Sequence, residues 1–175
     1  TTDLGLGRES FAFAIALQNL LWGMSQPFAG AIADRYGSGR VIAVCGLMYV
    51  LGLVLMAFAS TALELSVGAG LFIGFALSGT GFPVILAVVA RSVDESRRSL
   101  FLGFAGAGGS SGQLLMVPLG QVFLEGYGWG TALLLLALMS SVMVPLAAAL
   151  SGKATSGAER VVRQSLAQAI GEASR

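Results

Sequence analysis

The fold this 175-residue sequence predicts is all-α, a polytopic bundle of membrane-spanning helices. Three observations carry it. Residues of the hydrophobic class make up 55 % of the chain and charged residues only 11 %, against roughly 25 % charged in soluble domains. The 25 glycines suit helices in lipid, where small residues let backbones approach. A hydrocarbon core about 30 Å thick needs roughly 20 apolar residues per crossing. Five stretches meet that length, near 11–33, 41–60, 65–90, 100–124 and 130–150. They divide the chain into a membrane part, residues 1–150, and a tail, residues 151–175.

The first stretch, 11–33, carries Asn19, Gly23, Gln26 and Gly30 at helical spacing, a stripe of polar and small residues. It ends in Gly30-Ala-Ile-Ala-Asp34-Arg35-Tyr-Gly37-Ser-Gly-Arg40, a short charged connector. Connectors have to be short because unpaired backbone cannot face lipid. The second stretch, 41–60, is almost featureless. The third, 65–90, holds Gly70 and Gly74, then Ser78-Gly-Thr-Gly-Phe-Pro83. That pattern fits either a helix broken to expose carbonyls to a ligand or a proline kink beside glycine-mediated packing. Arg91 and the run Asp94-Glu95-Ser-Arg97-Arg98 read as a solvated loop with weak local ion pairs. The fourth stretch, 100–124, bears a second stripe: Gly106, Ser110, Gln113 and Gly120, with Ser111 alongside. The fifth, 130–150, carries only scattered polar residues. In the tail, Val162, Leu166 and Ile170 recur four apart, predicting an amphipathic helix along the inner face.

Nine of the ten basic residues fall in the first connector, the third connector and the tail; only Arg8 lies opposite. By the positive-inside tendency that shared side is cytoplasmic. The expected localisation is the inner or plasma membrane, with the start of the chain outside and its end in the cytoplasm. Tyr127 and Trp129 are placed at the outer edge and Tyr36 at the inner one, as interfacial aromatics. The opening at Thr1, without initiator Met, basic-then-apolar leader or cleavage site, predicts a fragment with no signal peptide.

Several chemistries drop out. The chain has no histidine and one cysteine, Cys45, so disulfide frameworks, Cys/His metal centres and Ser–His proteolysis are excluded. The glycines at 103–112 lack the Gly-Lys-Ser/Thr of a nucleotide loop. A net charge of +1 gives no reason to expect nucleic acid. No cofactor and no metal are expected. No acid or base stands at mid-depth in any stretch, so these stretches show no proton-relay group.

The chain also repeats itself. At an offset of 91 residues Pro27 matches Pro118, Asp34 matches Glu125, and Tyr36 matches Tyr127. Gly37 matches Gly128, Gly39 matches Gly130, and Met48 matches Met139. Three stretches separate the copies, which places them at opposite membrane faces, as in inverted three-helix repeats.

The connector resembles the signature between helices two and three of the major facilitator superfamily: Gly, three residues, Asp, a base, one residue, Gly, then bases. Gly30, Asp34, Arg35, Gly37 and Arg40 fill it, with Ser38 and Gly39 standing where bases are usual. The resemblance implies helices two to six of twelve, with the first helix and the C-terminal half of the transporter absent. It implies a gating role for the connector, with Asp34 meeting the end of a helix in the other half. It also implies that helices two and five line the solute cavity while three and six face lipid. Asn19, Gln26, Ser110, Ser111 and Gln113 are then the cavity candidates. Gln-Pro-Phe-Ala-Gly at 26–30 and the glycine-rich run 103–112 look like prokaryotic monocarboxylate-type branches. The function implied is secondary active or facilitated transport of a small solute such as an organic anion across the bilayer, with any proton-relay group in the missing helices. A membrane scaffold or assembly subunit, and less so a membrane-embedded enzyme, remain the alternatives.

Overall fold

The computed structural model describes residues 7–151. The amphipathic tail expected around Val162, Leu166 and Ile170 lies outside the described residues. Every regular element among the described residues is helical.

The first helix, α1 (Arg8–Tyr36), has 29 residues, about 43 Å of helix. It stops at Gly37, whose φ of 93° and ψ of 132° suit a residue without a Cβ. The Gly37 N–H closes the last turn on the Ala33 carbonyl at 3.0 Å. The chain reverses at once into α2 (Ser38–Ala57). The next rod is segmented: α3 (Ala62–Leu65), a π-helical turn (Ser66–Phe72) and α4 (Ile73–Thr80). Its start is fixed by a capping box. The Glu64 N–H donates to Thr61 Oγ1, and the Ser60 and Thr61 N–H groups donate to the Glu64 carboxylate. Gly81, extended at φ −67° and ψ 160°, breaks the rod before α5 (Phe82–Ser92), which carries Pro83 in its first turn. A short 3-10 turn (Glu95–Arg97) then leads into α6 (Arg98–Ser141) and α7 (Met143–Ser151).

Inside α6, Gly128 has φ 77° and ψ 173°. Gly37 and Gly128, 91 positions apart, are the positive-φ residues among the described ones. The repeat read from sequence therefore has a backbone counterpart: both copies turn the chain at the same glycine. Residues 98–127 and 129–141 are thus two helical limbs joined at Gly128.

Packing fixes the directions. Along α2, Gly130 approaches the Ala57 carbonyl, Leu133 and Ala137 join Leu53, Met143 and Val144 meet Gly46, and Ala147 joins Ile42. The second limb and α7 thus run antiparallel to α2. The π turn and α4 run antiparallel on another face of α2, where Gly68 meets Gly52 and Met56, and Gly79 meets Cys45. They run parallel to α1, with Gly70 against Leu17 and Ala14, and Gly74 against Gln18 and Leu21. Val84 of α5 shares a cluster with Ile42 and Ala147. The Gly37 turn, the Glu95–Arg97 turn and the end of α7 therefore gather at one end of the bundle. Residues 58–61 and Gly128 lie at the other.

Three segments among the described residues are long and apolar enough to cross a membrane: Ser38–Ala57, Ala62–Ala90 and Glu95–Ala149. The third has 55 residues, about 80 Å of helix and more than twice the hydrocarbon thickness; Gly128 divides it. Gln18, Asn19 and Gln26 dilute the apolarity of α1, which is long enough but more polar.

Trp129 stands beside Gly128 at that second end. It packs edge-on to Phe11 at 5.7 Å between ring centroids, and its Nε1–H donates to the Met56 carbonyl at 3.3 Å. On its other faces α2 contacts α1, α4 and the second limb, and it presents one apolar stripe outward: Val44, Leu47, Leu51 and Leu55.

Candidate functional site

The elbow is built from the end of α1, Gly37 and the start of α2. Asp34, Arg35, Tyr36 and Arg40 are exposed there, and Gly30 is half-buried. Arg35 stands over the Tyr36 ring at 5.4 Å. A base in the last turn of a helix favours the negative end of the macrodipole, whereas an acid there opposes it. Asp34 therefore opposes the dipole of α1, four residues before α2 starts at Ser38. A Cβ added at Gly30 or Gly23 would meet nothing within 4 Å.

The cavity candidates fall into two places. Asn19 is exposed on α1 and its Nδ2 donates to the Ile15 carbonyl at 2.9 Å; Gln26 is half-buried one face-repeat further. Ser110, Ser111 and Gln113 are exposed on the first limb of α6. The two stripes are not brought together, because α1 and α6 share no extended contact. The first limb leans instead on α5, with the Phe82 ring 3.8 Å from a Cβ at Gly106 and 3.4 Å from one at Gly109. Gly103, Gly108, Gly112 and Gly120 face open space.

The break at Gly81 stands between the stripes. On its α1 side is Trp22, whose Nε1 is 3.5 Å from a Cβ at Gly81 and is buried without a hydrogen-bond partner. On its other side Phe82 meets α6. Of the two readings of this rod, packing explains Gly70 and Gly74, while an extended residue at Gly81 is a true break. Nearby hydroxyls are held by their own helix: Ser78 Oγ donates to the Phe75 carbonyl at 2.7 Å and Thr80 Oγ1 to Ala76 at 2.9 Å.

Sequence reasoning missed Trp22, the π turn and a groove between α1, α2 and α4. The groove, about 490 Å³, is lined by Phe28, Ile32 and Tyr36 with Arg40, Val44 and Met48 among others. A signal was present: Phe28, Ile32 and Tyr36 recur every four residues on the face of α1 opposite the polar stripe's reading.

The Major Facilitator Superfamily pattern matches residues 1–172 of the chain. Monocarboxylate transporter 11 of Mus musculus is 34 % identical over 149 residues, 83 % of this chain and 31 % of that protein. Monocarboxylate transporter 11 of Homo sapiens is 35 % identical over 139 residues, 79 % of this chain and 28 % of that protein. The voltage-gated purine nucleotide uniporter of Homo sapiens is 30 % identical over 121 residues, 66 % of this chain and 28 % of that protein. The chain thus spans less than a third of the length of these relatives. Matched along nearly its whole length, and carrying the charged elbow at Gly30–Arg40, this multi-pass membrane chain belongs to the Major Facilitator Superfamily of transporters.

Proposed function

We propose that this chain supplies five crossings of the amino-terminal half of a secondary transporter, one that moves a small organic anion of the monocarboxylate class by alternating access. The elbow carries the reading. Asp34 opposes the dipole of its own helix, stands beside the Gly37 reversal, and fits the positive end of a helix from the rest of the full-length protein. Such a contact contributes roughly 0.3–1 kcal/mol, up to about 2 when partly buried, enough to bias two states separated by a few kcal/mol. Gly30, Arg35, Gly37 and Arg40 shape and charge the same joint. We place this end at the cytoplasmic face, where Arg35, Arg40, Arg97 and Arg98 satisfy the positive-inside tendency.

Asn19 and Gln26 line one wall of the solute path in this reading, and Ser110, Ser111 and Gln113 the other. The gap between α1 and the first limb of α6 supports it, since a path needs hydrogen-bonding groups in apolar walls. The monocarboxylate transporters among the relatives favour a small carboxylate. The nucleotide uniporter keeps a larger anion as the second reading.

The test is uptake by the full-length protein in proteoliposomes, with radiolabelled lactate, pyruvate and ATP as substrates. Saturable lactate or pyruvate uptake is expected, slowed about tenfold by Asp34→Asn at unchanged thermal stability. Folded protein that moves none of the three would favour a scaffold; uptake of ATP alone would replace the substrate class.

A further inference from the structure

The groove between α1, α2 and α4 belongs to neither wall of the solute path, and its chemistry is of another kind. Its sides are Phe28 and Ile32 from α1, Val44 and Met48 from α2, and Phe75 from α4. At the elbow end it meets Arg40 and Tyr36. Phe28, Ile32 and Val44 are 68 %, 48 % and 58 % exposed, so the trough is open sideways. From Tyr36 to Ser25 it follows twelve residues of α1, a rise of about 16 Å. Its walls over that length are apolar, the surface that a hydrocarbon chain lying along the helices would cover.

We propose that this groove is a binding site for one acyl chain of an anionic phospholipid, with the phosphate on the Arg40 guanidinium. Position and charge both point there. The apolar part lies along the helices, at the depth of lipid tails, and the one basic lining residue lies where the helices end, at the depth of headgroups. Guanidinium binds phosphate in a bidentate geometry, and basic pockets between membrane helices hold anionic headgroups. Arg35, stacked over Tyr36, adds a second positive charge to the same rim. A polar solute would find little to bind deeper in, where the Ser78 hydroxyl already donates to its own helix. The inference requires membrane insertion alone, so absence of solute uptake would leave it standing.

The experiment places the full-length protein in phosphatidylcholine nanodiscs with a trace of phosphatidylglycerol bearing a diazirine midway along one acyl chain. After photolysis, crosslinked peptides are mapped. Crosslinks concentrated on 28–32 and 44–48 are expected, at least threefold above those from phosphatidylcholine carrying the same diazirine. Arg40→Gln should remove the headgroup preference, and Val44→Trp should remove labelling of the groove by both probes. Where Val44→Trp does not fold, the headgroup comparison on the unaltered protein and on Arg40→Gln decides. Equal labelling by the two headgroups would overturn the proposal. So would crosslinks no denser in the groove than at Leu114 and Val117, or an unlabelled groove, which would mean that protein covers it.

Discussion

Gly37 and Gly128 show how much a missing Cβ decides in this chain. Both have positive φ with extended ψ, a region nearly closed to other residues at a cost of about 1–3 kcal/mol. Gly37→Ala should therefore lower the stability of the full-length protein in detergent by that order, read from its thermal transition. Gly52 and Gly68 act differently. A Cβ on Gly52 would lie 2.7 Å from Ile73 Cγ1 and 3.0 Å from the Gly68 carbonyl oxygen, so Gly52→Leu forces two helices apart, at about 1–3 kcal/mol or more. Gly30 is the contrast, with nothing within 4 Å. Gly30→Ala should leave the thermal transition in place while slowing uptake if the rest of the transporter closes on that face. A matched fall in stability and rate would instead make Gly30 a packing residue of this half.

At the scale of elements, the central helix is α2, whose outward stripe is Val44, Leu47, Leu51 and Leu55 while Leu53 is buried. A tryptophan at Leu51 should be quenched by brominated acyl chains, and one at Leu53 should disrupt the fold. Equal quenching at both positions would mean α2 is misplaced. Trp129 ties the second limb of α6 to α2 through its bond to Met56. Trp129→Phe should cost about 1 kcal/mol and leave the topology unchanged. The sequence made the helical stretches and the two glycine turns legible, since apolar length and the 91-residue offset both survive in the backbone. Which face of each helix packs was not legible. Lipid tails are as apolar as a protein interior, so hydropathy does not distinguish the Leu53 face of α2 from the Leu51 face. The π turn escaped notice for a related reason: Gly68, Ala69 and Gly70 have no long side chain whose spacing would reveal it. Asn19, Gln26, Ser110 and Gln113 were visible as polar interruptions, but whether they face one another depends on α1 and α6, which barely meet here.

For the whole molecule, the arrangement is a set of antiparallel rods whose Gly37 and Glu95–Arg97 turns share one end, with residues 58–61 and Gly128 at the other. The gating role proposed for the elbow and the proposed solute path both take their meaning from that threading. Single cysteines at Ser38, Ser96, Ser60 and Tyr127, placed in a cysteine-free full-length protein and probed in intact cells with an impermeant maleimide, test it most directly. In this threading Ser60→Cys and Tyr127→Cys react at once, and Ser38→Cys and Ser96→Cys react only after the cells are permeabilised. Reaction of Ser38→Cys and Ser96→Cys from opposite faces would contradict it.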